Sequence, residues 1–268
     1  MPYSSWTGGS GSFFSLSEGL TNQQVLDIVH DDEGFMWVAT ELGLNRFAGK
    51  AFKPYYASKK KDGNTVNSNE INTLLHDDNK LYIGTRADGL NVLDLKTNKF
   101  SYYVHDPADP KSIATNDITD MIRARDGGLW LATYHQGIQY FDPVSKEFQH
   151  FNRSNLPGFP ENSIWSLAED RKGMLYVGHV KEGLTILDPV RRSLKQLTYQ
   201  NSGAEFPDNE VKVLFCDQYG NIWIGTRKGL AVYHTASGQL KHISLASSSK
   251  NANEPFIYAI QEIGGNFG

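Results

Sequence analysis

The sequence predicts an all-β protein: a β-propeller of four-stranded antiparallel blades, with five full repeats and the first strand of a sixth. Three observations carry that expectation. Trp37, Tyr82, Trp130, Tyr176 and Trp223 stand 45, 48, 46 and 47 residues apart. Each lies in a copy of one segment: FMWVATELGL, KLYIGTRADGL, GLWLATYHQGI, MLYVGHVKEGL and NIWIGTRKGL. Around these copies, short runs of β-branched and aromatic residues are bounded by Gly, Asn, Asp and Pro, the pattern of strands and tight turns. No segment shows a helical period. Four strands recurring about every 46 residues are the signature of propeller blades.

Each unit opens on an Asn/Asp-led apolar strand: QQVLDIVHD, NEINTLLHD, NDITDMIRA, NSIWSLAED and NEVKVLFCD. A tight turn follows, fullest as DDEG, DRKG and DQYG, where Asp closes an Asx-turn and Gly takes positive φ. The aromatic segment is the second strand. A short turn ending in Gly43, Gly89, Gly137, Gly183 or Gly229 leads to the third strand, and a Lys/Asn-rich or Asp-Pro turn leads to the fourth. A lone sheet with two apolar faces cannot bury both, whereas stacked blades bury each other. The small residues Ala39, Gly84, Ala132, Gly178 and Gly225 fit a close approach between neighbouring sheets.

The expected organisation is a flexible leader, natural or engineered, over residues 1–11 and a partial propeller over 12–268. Its repeats fall near 20–56, 66–103, 113–151, 161–197, 208–243 and 255–268. SFFSLSEGL at Ser12–Leu20 is expected to hold an outer fourth strand, and PFIYAIQEIGG at Pro255–Gly265 the first strand of the sixth unit. The ring therefore reads as truncated, with unpaired edges that favour self-association.

Composition excludes several classes. The 268 residues are 39% hydrophobic and 21% charged, with a net charge of −4 and no basic–aromatic stripe, so nucleic acid is not an expected partner. Lys59–Lys61 reads as a solvated loop tip. Cys216 is the single cysteine, which rules out an intramolecular disulfide and a Cys-based zinc site. No apolar run approaches the roughly 18 residues of a membrane span, so direct membrane insertion by this segment is not expected.

The unit N-x-[IV]…D-x-x-G-x-[LIM]-W-[VIL]-[GA]-T-x-x-G-L resembles the two-component regulator propeller repeat. SEGLTNQQVLDIVHDDEGFMWVATELGLNRFAGKAF is similar to the usual opening of such domains. The resemblance covers about Phe13 to Ile263. Tyr82 and Tyr176 replace Trp, and His179 replaces Thr. It implies the periplasmic sensor half of a hybrid two-component system in Bacteroides-type bacteria, binding carbohydrate fragments. A linker domain, membrane helix, histidine kinase and response regulator would lie downstream.

In a propeller, the second-to-third-strand turns and the inter-blade links share one face. Those turns differ most among the copies. They carry Glu41; Arg86 and Asp88; Tyr134, His135 and Gln136; His179, Lys181 and Glu182; Arg227 and Lys228. Varied groups on a repeated scaffold are how a binding face is built, so these residues are the ligand-binding candidates. Arg and Lys suit carboxylate or sulfate groups of an acidic oligosaccharide. The competing reading is that they are solvated turn residues without a common ligand.

No metal, cofactor or catalytic residue is assigned. His30 and His76 each precede an Asp pair, but they occupy equivalent positions in different blades. DDEGF and DQYGN lack the acidic ladder of a calcium loop. The bacterial origin that the resemblance implies would make the sequon at Asn152 incidental. A propeller lyase would need a positioned base and a cation, for which His135 and His179 are candidates by loop position alone. A protein-docking scaffold is the other alternative to a sensor.

Overall fold

The computed structural model describes residues 16–58, 64–245, 255–263 and 266–267. The leader, residues 12–15, Lys59–Lys61 and the link Ala246–Asn253 lie outside the described residues.

Five four-stranded antiparallel sheets follow one another along the chain, each paired in simple sequential order. Blade one is β1 Val25–His30, β2 Met36–Thr40, β3 Gly43–Phe47 and β4 Phe52–Tyr55. Blade two is β5 Ile71–Asp77, β6 Lys80–Thr85, β7 Leu90–Asp94 and β8 Lys99–Tyr103. Blade three is β9 Ile118–Arg123, β10 Leu129–Thr133, β11 Ile138–Asp142 and β12 Glu147–Phe151. Blade four is β13 Ile164–Glu169, β14 Leu175–His179, β15 Leu184–Asp188 and β16 Ser193–Leu197. Blade five is β17 Val211–Cys216, β18 Ile222–Thr226, β19 Gly229–His234 and β20 Gln239–Ile243. The first strands β1, β5, β9, β13 and β17 lie against each other in that order, which is the inner row of a propeller.

The core lies between blades. Trp37 and Ala39 of blade one pack with Ile71, Leu74 and Leu81 of blade two. The same sandwich recurs between blades two and three, three and four, and four and five. The small residue on the second strand sets the spacing. A methyl group on Gly84 would meet Ile118 at 2.8 Å, and one on Gly178 would meet Val211 at 2.7 Å.

Every first strand slips register at one place, between Val25 and Asp27 in blade one and at the matching residues elsewhere. Each first strand is also a sheet edge, so some of its N–H groups point away from the ladder. Three of these reach the preceding blade: Leu74 N–H donates to the Asp27 carboxylate at 2.7 Å, Leu167 N–H to Asp120 at 2.8 Å, and Leu214 N–H to Ser166 Oγ at 3.1 Å.

The turn chemistry read from sequence is present. Asp31 accepts the N–H groups of Glu33 and Phe35 and binds Trp37 Nε1 at 2.8 Å. Asp217 does the same for Tyr219, Asn221 and Trp223. The leading Asn residues tie each incoming link. Asn69, Asn116, Asn162 and Asn209 accept from Ala57, His105, Arg153 and Tyr199 N–H.

The outer strand expected at the start of Ser12–Leu20 lies outside the described residues; the link that follows it contains a 3-10 turn at Leu16–Glu18, and Leu20 packs on Val38 and Phe52. Two details differ from expectation. The link after blade four contains a one-turn helix, α1 Tyr199–Ser202, held by a reciprocal cap between Thr198 and Asn201. One turn is too short to leave a period in the sequence. Residues 255–263 follow the path of a first strand: Ile257 lies against Gly225, and Gln218 N–H donates to Glu262 as Arg125 N–H does to Glu169. Within this segment, Glu262–Ile263 pairs with Asn266–Phe267 in a two-stranded ladder.

Candidate ligand-binding face

The turns between second and third strands are built alike. Thr40, Thr85, Thr133 and Thr226 each donate Oγ1–H to the carbonyl of the turn glycine, at 2.7–3.0 Å. Gly183 sits at φ 76°, a conformation that disfavours any side chain, and its N–H donates to Asn209 C=O of the next blade. Gly89 and Gly137 donate in the same way to Asn116 and Asn162. The turns and the links therefore lie side by side on one face.

Blade four breaks the threonine rule, and His179 corrects a sequence expectation. His179 is the last residue of β14 and is 0% exposed. Its Nε2 lies 2.8 Å from Thr185 Oγ1, and its ring packs edge-on against Phe159. Burial drives its pKa down to about 3, so it is a neutral interior imidazole at pH 7. It occupies the inward position of the repeat's threonine, which removes it from the ligand-binding candidates.

The other candidates fall into groups. Glu41 and Arg86 line a cavity of about 180 Å³ with Leu26, Leu42, Glu70 and Asn72, and Arg86 Nε is 3.9 Å from Glu70. Asp88 is held by its backbone, donating to Thr85 Oγ1 and accepting from Asn67. Lys181 is exposed, its N–H bonded to Glu161, and Glu182 lies beside it. Arg227 and Lys228 are not bare cations: Arg227 lies 3.6 Å from Glu210, and Lys228 2.9 Å from Asp208. Lys228 borders a separate cavity of about 440 Å³ with Tyr199 and Gln200.

Blade three supplies the most concentrated chemistry. The rings of Tyr134 and His135 lie 4.0 Å apart and tilted by 51°, with Gln136 exposed beside them. His135 Nδ1 lies 3.0 Å from Ser163 Oγ. The Tyr134 ring is 6.3 Å from Trp165 on β13, and Lys212 Nζ on β17 sits 3.0 Å over the Trp165 ring. Tyr134, Trp165 and Lys212 thus form a row across three blades. Burial pulls the Lys212 ammonium below the usual lysine range, with Glu210 opposing. Asp117 lies beneath the same face. Burial raises its pKa, and the nearby Arg86 and His135 oppose that rise.

Trp165, Lys212 and Asp117 are absent from the sequence-derived candidates. A signal for the first two exists. One residue after the apolar opening of each first strand, the copies read Leu26, Asn72, Thr119, Trp165, Lys212 and Tyr258. That is as varied as the turns themselves. Asn72 and Thr119 are used inside the fold, bonding the carbonyls of Ile118 and Ile164. Among the described residues no group of three or more His, Cys, Asp or Glu side chains could hold a metal ion.

Blades joined along an inner row, with turns and links on one face, define a β-propeller segment. Comparison with known proteins then places the repeats. Residues 19–41, 112–135, 158–181 and 205–228 match the two component regulator propeller model. It is similar to the crystal structure of the extracellular domain of a putative hybrid two component system from B. thetaiotaomicron. That match has 34% identity, a TM-score of 0.83, and covers 94% of this chain and 33% of that one. A second such extracellular domain from the same organism is 22% identical with a TM-score of 0.73, covering 91% and 33%. Histidine kinase P4 of Formosa agariphila is 28% identical over 161 residues, 58% of this chain and 11% of that protein. Virginiamycin B lyase from Staphylococcus aureus, 10% identical with a TM-score of 0.52 and matched over 86% and 88%, shares the fold alone. The chain spans about a third of the length of the solved extracellular domains it matches. Among the described residues no helix is long and apolar enough to cross a membrane.

Proposed function

We propose that this chain is part of the periplasmic sensor region of a hybrid two-component system, where it binds carbohydrate fragments without chemistry of its own. The kinase that reads the signal belongs to other parts of the longer protein. The observation that carries this reading is the row Tyr134–Trp165–Lys212, flanked by Arg86 and His135, on the face where turns and links meet. Aromatic rings offer faces to the C–H side of a sugar. Arg86 and Lys212 offer charge-assisted bonds to uronate or sulfate groups. An acidic oligosaccharide is the ligand class that uses both. The extracellular setting of the 34%-identical relative supports the periplasmic assignment. Self-association through the exposed first strand of blade one belongs to the same reading, and sedimentation velocity across a concentration series tests it.

Binding is tested by calorimetry against uronate-containing, sulfated and neutral oligosaccharides. Replacing Arg86, Tyr134 and His135 together, or Trp165 alone by Ala, is expected to weaken the best ligand at least tenfold. Unchanged affinity in both variants removes this face from consideration. Turnover of the saccharide by the purified protein would replace the sensor by an enzyme.

A further inference from the structure

The opposite face, where first strands turn into second strands, carries a feature that the saccharide reading does not use. A cavity of about 620 Å³ lies between blades three and four, with Trp130 in its lining and Arg125, Arg171, Lys172 and Arg191 around it.

The repeats themselves show what is unusual there. In blades one and five, the anchor indole N–H is bonded by an Asp of the preceding turn: Trp37 by Asp31 at 2.8 Å and Trp223 by Asp217 at 3.0 Å. In blade four the Tyr176 hydroxyl meets Asp170 at 3.2 Å. In blade three the same position is Ala124. Trp130 is 4% exposed as a residue, but its Nε1 is not among the buried polar atoms that lack a partner, and no hydrogen bond joins it to another described residue, so the N–H edge opens to the cavity. Where the other repeats supply a carboxylate from their own turn, this N–H is left to meet one from outside.

The carboxylates already present are engaged elsewhere. Asp126 accepts from Gly128 N–H and from the Tyr140 hydroxyl. Glu169 accepts Arg125 N–H, and Asp188 pairs with Arg191 at 2.6 Å. Arg171 is bonded to the Gln218 carbonyl. The side chains of Arg125 and Lys172 make no ion pair among the described residues.

We propose that this cavity docks an acidic peptide segment of a protein partner, whose carboxylate stands where the other repeats place their turn Asp. That carboxylate accepts from Trp130 Nε1 and is flanked by Arg125 and Lys172. A peptide fits better than a sugar for two reasons. The Trp130 ring is contacted by Tyr140 at 5.0 Å and Phe151 at 5.4 Å, so its N–H edge rather than a stacking face is on offer. The rim is apolar: Val190 is 91% exposed beside Pro189, which suits an aliphatic side chain next to the acid.

The probe is a fluorescein-labelled octapeptide of alternating glutamate and valine, read by anisotropy against the full chain. Its glutamine–valine counterpart and a diglucuronate saccharide serve as the other arms. The acidic peptide is expected to bind at least tenfold more tightly than either. Ala124→Asp restores the repeat's own carboxylate and is expected to abolish binding while leaving the melting temperature unchanged or higher. Lys172→Glu, on the exposed rim, is expected to weaken binding at least tenfold in a folded protein. Equal binding of the neutral peptide, preferential binding of the diglucuronate, or full binding by a folded Ala124→Asp variant overturns the proposal. Loss of saccharide binding in the Trp165 variant leaves it intact, because that residue lies on the other face.

Discussion

Blade one and blade four have the same four strands but different surroundings. Val25 and Ile28 on β1 are 41% and 49% exposed. Ile164 and Leu167, at the matching positions of β13, are 0% and 2% exposed. Nothing in the local sequence separates the two pairs. Blade four packs on Ala132 of blade three, whereas no blade precedes blade one among the described residues. In this fold the burial of a first strand is conferred by its neighbour, and the contacts inside a blade are its own.

The contrast is broken most directly by Ile164→Ala. It removes a fully buried side chain between two blades and is expected to lower unfolding free energy by about 2–5 kcal/mol. Val25→Ala should change it by no more than roughly 0.5 kcal/mol. Denaturant titration of both variants decides the point, and equal effects would contradict the neighbour-conferred burial. The next effect concerns bonds internal to a blade. Asp31→Ala and Asp170→Ala each leave a buried anchor without its acceptor and free several turn N–H groups. Both should cost about 1.5–3 kcal/mol, and the two losses should match, because neither bond involves a neighbouring blade.

Gly178→Ala probes the interface from the other side. Its methyl would meet Val211 at 2.7 Å, so a loss of about 1–3 kcal/mol from overpacking is expected in thermal melts. The smallest effect depends on pH. Asp27 and Asp120 hold the same repeat position, and burial raises both carboxyls, Asp120 to about 6. A folded pKa above the unfolded value means that Asp120's contribution is full below about pH 4 and is lost as pH rises through about 6. Asp120→Asn should therefore gain stability relative to the parent between pH 4.5 and 7.5, on the order of 1–2 kcal/mol. Asp27→Asn, on the blade with no preceding neighbour, should gain less. Denaturation midpoints at the two pH values, read for both variants, test the order.

Much of the fold was legible because a repeat writes its physics five times. The Asx-turn aspartates, the small residue after the anchor pair and the leading asparagines each recur, and each has a bond or a close contact in the structure. The candidate face was legible only in part. Arg86, Tyr134 and His135 sit where variation among turns placed them. Trp165 and Lys212 lie on first strands, outside the turns whose variation marked the face, and only the assembled blades bring them beside Tyr134. His179 shows the reverse error. Its polarity reads as a surface turn, but its place is that of an inward threonine, where the buried neutral imidazole meets Thr185 through Nε2.

The sequence by itself determined the blade: strand lengths, turn types, the anchor and the small residue against which the next sheet packs. Those properties are local, set by propensity, side-chain capping and alternation within about ten residues. The tertiary structure decided which first strands are buried, which cations already have partners and which anchor N–H lacks one. Those outcomes depend on residues some 45 positions apart meeting across a blade interface, and no single repeat contains the information for them.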